Sequence, residues 1–198
     1  MKTICVFCGS SPGARKEYVQ AAKSLGATLA RRNLTLVYGG GNVGLMGRLA
    51  SSALACGGKV IGVIPRKLAD QDVAYTDLDD LRVVGSMHER KSLMAELADG
   101  FIALPGGLGT IEEFFEALTW AQLGIHNKPC GLLNIGGYFD NLIAFLHHAV
   151  SEQFIGSPHH DMILISEDPE KMLADFAAYD PPQAGKAAWA RRLTSRLE

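Results

Sequence analysis

Short apolar runs alternate with longer amphipathic stretches along almost the whole chain. Thr3–Phe7, Thr35–Tyr38, Val60–Ile64, Leu81–Val84, Phe101–Leu104, Cys130–Leu133 and Ile163–Ile165 are largely apolar at consecutive positions. A strand of that kind is buried on both faces. Between these runs the period changes to helical. Val19, Ala22, Leu25 and Leu29 share one face of Tyr18–Arg32, and Leu142, Phe145, Leu146, Ala149 and Val150 share one face of Tyr138–Gln153. The spacing predicts further helices over Leu45–Ala55, His88–Leu97, Thr110–Leu123 and Pro169–Phe176. Buried strands alternating with helices specify the α/β class. The expected fold is a Rossmann-like three-layer αβα sandwich with a mostly parallel sheet of about seven strands.

Composition narrows the function. The chain has 198 residues, 47% hydrophobic and 20% charged. That suits one globular domain over residues 1–180, and it excludes a disordered chain. Asp180-Pro181-Pro182 ends the fold, and 181–198 is a C-terminal tail carrying Lys186, Arg191, Arg192 and Arg196. A docked short helix and a frayed terminus are both open for it. The formal net charge is −2. No basic field is present to attract nucleic acid or a membrane surface. No apolar run approaches the ~18 residues of a membrane span, and Ile4–Phe7 is too short for a secretory leader. The cytoplasm is the expected compartment. Cys5 and Cys8 form a C-x-x-C, but residues three apart in a strand point to opposite faces. Small buried thiols are expected there, not a redox or zinc site.

Ligands of such folds bind beyond the carboxyl ends of the strands, and three glycine-containing turns fall there. They are Cys8-Gly9-Ser10-Ser11-Pro12-Gly13, Gly39-Gly40-Gly41-Asn42-Val43-Gly44 and Pro105-Gly106-Gly107-Leu108-Gly109-Thr110. Each leaves a strand and enters a helix, an arrangement that lets backbone N–H groups wrap an anion. Gly39-x-Gly41-x-x-Gly44 matches the dinucleotide fingerprint, yet Lys59–Lys67 lacks the acidic residue that would hold a ribose hydroxyl. NAD is disfavoured, while an arginine leaves NADP open. No G-x-x-x-x-G-K-[ST] is present for P-loop hydrolysis.

Thr110-Ile111-Glu112-Glu113 fits a capping box in which Thr110 caps the helix and Glu113 reaches back to it. Glu112 then stands free beside the strand ends, and Glu116 faces solvent or a partner helix. Met87-His88-Glu89-Arg90-Lys91 opens another helix with two cations that the macrodipole disfavours. A ligand phosphate would balance them, Arg90 as a bidentate fork and Lys91 as a point charge. His88 fits a local cap or a core histidine. The acidic stretch Asp70–Asp80 reads as a solvated loop near the mouth of the site. Neither it nor His147-His148 and His159-His160 has the spacing of a metal site, and no metal is expected.

Four stretches together resemble the LOG ("lonely guy") family of cytokinin riboside 5′-monophosphate phosphoribohydrolases. They are Val6–Ser11, Tyr38–Gly47, Met87–Lys91 and Leu104–Glu113, the last matching the family's P-G-G-x-G-T-x-x-E. The resemblance spans roughly residues 3 to 177. It implies cleavage of the N-glycosidic bond of a purine or cytokinin nucleoside 5′-monophosphate to free base and ribose 5-phosphate, with AMP also a substrate of many bacterial members. By motif match Arg90 and Glu113 are implied as catalytic. Lys91, Gly106, Gly107, Gly109, Thr110, Glu112 and Thr119 are implied as substrate contacts, with Ser10, Gly40 and Gly41 in the other two turns. Leu108 stands where an aromatic is common. The loop Lys67–Asp80 is longer and more acidic than the usual pattern, which leaves the preferred base open. Some relatives carry the label "lysine decarboxylase", but no lysine here is placed for a pyridoxal phosphate Schiff base, and no cofactor is expected. The resemblance and the amphipathic helices imply a homodimer. Whether Glu112 or Glu113 activates water is open, and a nucleotide-binding carrier or sensor of the same fold is the alternative.

Overall fold

A computed structural model describes residues 1–71 and 73–182. Asp72 and residues 183–198, which hold most of the expected tail, lie outside the described residues. Seven strands form one sheet: β1 (Thr3–Phe7), β2 (Thr35–Tyr38), β3 (Val60–Pro65), β4 (Asp80–Val84), β5 (Gly100–Ala103), β6 (Cys130–Leu133) and β7 (Ile163–Ser166). Their order is β4-β3-β2-β1-β5-β6-β7, and every pairing is parallel. The helices are α1 (Lys16–Arg31), α2 (Gly44–Ala55), α3 (Arg66–Ala69), α4 (Met87–Leu97), α5 (Leu108–Gln122), α6 (Asp140–Ser151), α7 (Ser157–His160) and α8 (Pro169–Ala177).

Strand alternation divides the core in two. Ile4 and Val6 of β1 pack with α1, α2 and α8, whereas Cys5 and Phe7 of the same strand pack with α4, α5 and α6. Both faces of the sheet are therefore covered, as parallel strands without polar faces require. The expected three-layer fold stands, with a wholly parallel sheet. Two helices, α3 and α7, were not expected; at four residues each they are too short to show a period. The helix expected from Tyr138 begins at Asp140, after a 3-10 turn over Ile135–Gly137.

The strand order reverses direction between β1 and β5, and a crevice opens at such a switch point. The turns leaving these two strands are stitched together there. The Gly9 N–H donates to the Pro105 carbonyl at 3.1 Å, and the Leu104 N–H donates to the Phe7 carbonyl at 2.9 Å. The fingerprint-like Gly39–Gly44 turn follows β2, one strand away from the switch. A dinucleotide fingerprint belongs on the first strand, beside the switch point, which is a further reason against a nicotinamide cofactor.

Candidate active site

α4 and α5 carry the charged residues of the crevice, and each enters its helix in a different way. At α4, Ser86 is the N-cap and its hydroxyl accepts from the Glu89 N–H at 3.1 Å. Glu89 reaches back and accepts from the Gly85 N–H at 2.8 Å. A side-chain cap of the capping-box kind thus closes α4. At α5 the box expected from Thr110 and Glu113 does not form. The helix starts earlier, at Leu108, with Gly107 as N-cap and no side-chain hydrogen bond to it. Thr110 is therefore inside the first turn and buried, and Glu113 lies one turn further on. A Cβ on Gly106 would overlap the Thr110 side chain, so glycine at 106 is what lets the turn fold back on the helix. The first N–H groups of an α-helix lack intrahelical acceptors. At α5 no acidic residue in the first turn offsets the positive end of the helix either.

Freed from capping, Glu113 pairs with Arg90 of α4. Both side chains are about a tenth exposed (9% and 11%), and the ion pair sits at the end of the sheet. The Arg90 Nε donates to the Val63 carbonyl of β3 at 3.0 Å. Its far edge lies over Gly39, where a Cβ would overlap the guanidinium. The side chain is thus fixed on three sides. Burial pushes the Glu113 carboxyl above its ordinary value, with Arg90 opposing that rise. The negative partner of Arg90 expected from sequence was a ligand phosphate; the structure supplies a carboxylate from the next helix instead.

Lys91 makes the second ion-pair group, to Glu112 at 2.6 Å and Glu116 at 3.1 Å. Hydrogen bonding to Glu112 is the main cause of its raised pKa. Glu116, expected to face solvent or a partner helix, turns back onto Lys91. A Schiff base needs a neutral lysine, and Lys91, the lysine that the motif places here, is held charged; the residues present do not fit pyridoxal phosphate.

Gly106, Gly107, Gly109 and Thr110 lie at the start of α5, with Gly107 and Gly109 exposed and open on the side where a Cβ would stand. Ser10 is exposed on the neighbouring turn, its backbone against Gly44. Gly40 and Gly41 are engaged elsewhere. The Tyr75 N–H donates to the Gly40 carbonyl and the Asn42 N–H to the Val73 carbonyl, both at 2.8 Å, and Gly41 bridges Ala74. The acidic loop is therefore tied to the second glycine turn by backbone pairing. Thr119 is not brought to this crevice. It is exposed on α5, six residues and ~9 Å beyond Glu113, in a groove with Phe115, Leu146 and Phe154. His88 is exposed and not in the core. Cys5, Cys8 and Cys130 are buried free thiols, and burial pushes Cys130 up to about 12. Among the described residues no cluster of three or more His, Cys, Asp or Glu could hold a metal.

Sequence reasoning marked Gly39 within a glycine turn but not its place against Arg90. It missed the Val63 carbonyl and Tyr138, whose hydroxyl donates to the Gly106 carbonyl at 2.5 Å. Their roles depend on strands and turns that are distant in sequence, so no local pattern could have signalled them.

Fold and site together define a class: a Rossmann-like α/β protein with a helix start free of side-chain caps and acids beside a buried carboxylate–guanidinium pair. Residues 46–176 match a family model described as "Possible lysine decarboxylase". The chain is 51% identical over 174 residues to a cytokinin riboside 5′-monophosphate phosphoribohydrolase of Rhodococcoides fascians, covering 87% of this chain and 88% of that one. It is 49% identical over 181 residues to a probable enzyme of that name from Oryza sativa subsp. japonica, covering 91% and 72%. With a third, from Arabidopsis thaliana, it shares 46% over 192 residues, covering 95% and 90%. The chain belongs to this family, the cytokinin riboside 5′-monophosphate phosphoribohydrolases. Among solved structures it resembles the molybdenum cofactor binding protein of Rippkaea orientalis, with TM-score 0.68 and 26% identity over 90% of this chain and 97% of that one. The molybdenum cofactor carrier protein of Chlamydomonas reinhardtii shares the fold, with TM-score 0.65 at 22% identity over 87% and 98%.

Proposed function

We propose that the protein hydrolyses the N-glycosidic bond of a purine or cytokinin nucleoside 5′-monophosphate, AMP included, releasing free base and ribose 5-phosphate. One observation carries this: a buried glutamate–arginine pair lies one helical turn from an uncapped, glycine-lined helix start. Relatives at about half identity bear the corresponding name.

The 5′-phosphate binds the N–H groups at the start of α5, from Gly107 to Thr110, where dipole and bare donors favour an anion. Ser10 and Gly106 shape the rim, and Lys91 with Glu112 contacts the sugar. Binding energy from the phosphate holds C1′ near Glu113. Departure of the base leaves an oxocarbenium-like sugar. The Glu113 carboxylate faces that cation, orients a water and takes its proton as the water oxygen bonds to C1′. The base leaves with the glycosidic electron pair and takes a proton on nitrogen from solvent, and Glu113 returns the proton it took from water to solvent. Arg90 keeps Glu113 in place and ionised despite its burial. Glu113 is the base in preference to Glu112, because Glu112 is more than half exposed and tied to Lys91.

The functional unit is a homodimer. Phe145 of α6 (62%) and Phe154 just beyond its end (81%) are exposed, Phe154 lining the groove that holds Thr119, and a second copy would cover them. Sedimentation of the purified protein tests this, a monomer at micromolar concentration being the contrary result. Four free thiols suit a reducing cytoplasm, and no described helix is long and apolar enough to cross a membrane.

Chromatography of the protein incubated with AMP and with N6-isopentenyladenosine 5′-monophosphate tests the activity. Release of free base by the wild type and not by Glu113→Gln is expected. Binding of either nucleotide without base release would instead favour a carrier, an outcome to which the likeness to the Rippkaea orientalis protein gives weight.

A further inference from the structure

The turn between β5 and α5 is held from three directions. The Gly9 N–H grips the Pro105 carbonyl at 3.1 Å. The Thr110 side chain fills the space against Gly106. From the third side Tyr138 donates its hydroxyl to the Gly106 carbonyl at 2.5 Å, across 32 positions of sequence.

The tyrosine is itself braced. It precedes α6 in a turn closed by Asn134, a buried residue whose Oδ1 accepts from the Phe139 N–H at 2.7 Å and whose Nδ2 donates to Asp140 Oδ1 at 2.7 Å. Its ring meets the edge of Tyr18 from α1, with centroids 5.6 Å apart, and that of Phe139 at 5.0 Å. The ring, 41% exposed, is braced by Tyr18 of α1 and by the adjacent Phe139, and its hydroxyl is delivered to one backbone oxygen.

The Gly106 carbonyl and the Gly107 N–H belong to one trans peptide and point in opposite directions. Anchoring the oxygen toward Tyr138 therefore aims the N–H away from it, alongside the bare donors of α5. A peptide between two glycines meets little steric resistance to rotation, so an external anchor decides its orientation. We propose that Tyr138 is a positioning residue of the anion loop: its hydroxyl pins the Gly106–Gly107 peptide so that the Gly107 N–H faces the 5′-phosphate. This rests on the phosphoribohydrolase function proposed above.

Tyr138→Phe removes the oxygen and keeps the ring packing, so the fold and thermal midpoint should be retained. In 15N-labelled protein without ligand, the Gly107 amide resonance of the variant is expected to broaden or divide as the peptide samples both orientations. Ribose 5-phosphate, measured by calorimetry, should bind about fivefold more weakly, the weight of one neutral hydrogen bond. KM for AMP should rise by the same factor with kcat within about twofold. An unchanged Gly107 resonance overturns the proposal even if affinity falls, because a hydroxyl that merely touched the ligand would leave the free peptide alone. Unchanged ribose 5-phosphate affinity, or a fall in kcat at constant KM, overturns it as well. Failure of the wild type to bind ribose 5-phosphate overturns it together with the phosphate site; binding without turnover of AMP removes only the hydrolase function.

Discussion

Two helix starts lie at the same end of the sheet and are built on opposite plans. α4 closes itself: Ser86 and Glu89 supply a reciprocal cap. α5 stays open: Gly107 stands at its N-cap, no side chain bonds there, and its first turn carries no acid. The contrast teaches where a ligand belongs. An open start is not itself rare here, since α1, α2 and α6 also begin without a side-chain cap. What sets α5 apart is that its bare donors lie one turn from the buried Arg90–Glu113 pair. The charged residues follow the same division. With α4 capped by its own glutamate, Arg90 and Lys91 are released to reach across to α5. With α5 uncapped, Glu113 is released to meet Arg90.

Breaking the cross-helix pair should have the largest effect. Glu113→Gln keeps shape and packing but removes the carboxylate proposed as the base, and kcat should fall by about 10²–10⁴ with the thermal midpoint little changed. Activity retained in a folded variant would return Glu113 to a structural role. The same residue sets a pH dependence. The proposed base is the carboxylate form, so kcat/KM should fall as pH drops through its pKa, and burial places that acid limb above the ordinary glutamate range. A limb at the ordinary value in a pH–rate profile would contradict the burial. Gly39→Ala comes next. The new methyl overlaps the Arg90 guanidinium, and a displaced pair should cost about 10²-fold in kcat/KM. Wild-type kinetics in this variant would mean that Arg90 need not sit where it does.

Converting the open start into a closed one sharpens the comparison further. At Gly107 a Cβ has free space, so Gly107→Asp should cap α5 and raise stability by a few tenths of a kcal/mol. Its carboxylate would occupy the donors and repel phosphate, raising KM for AMP by about tenfold or more, roughly 1.4 kcal/mol. A KM left unchanged would put the phosphate elsewhere. The smallest catalytic effect is expected at the closed start. Ser86→Ala should lower stability by about 1 kcal/mol in denaturant titration while kcat/KM stays within about twofold. A large kinetic loss there would erase the distinction between the two helix starts.

The strands and the long helices were legible because burial on both faces writes itself as continuous apolar runs, and helix faces write themselves as a 3.6-residue period. Phe101–Leu104 differs from the observed β5 by one residue at each end. The turn-length elements were not legible, since α3 and α7 complete barely one period. Motif spacing brought Arg90, Lys91, Glu112 and Glu113 to notice, but it assigned the wrong partners. T-x-x-E and S-x-x-E occur at the starts of α5 and α4 alike, and only the second is a cap. The first fails because Gly106–Gly107 lets the helix begin two residues before Thr110.

By itself the sequence determined the class of fold, the order of its elements, the placing of glycine turns at strand exits and the family. All of these are carried by local periodicity and by residues close together in the chain. Only the tertiary structure decided which charges meet. Arg90 and Glu113 are 23 positions apart, Arg90 and the Val63 carbonyl 27, Tyr138 and the Gly106 carbonyl 32. Their meeting depends on a strand order that runs β3-β2-β1-β5-β6 and on two helices packed against one face of it. Long-range juxtaposition of this kind comes from burying both faces of the sheet at once, a property of the whole core that no single segment encodes.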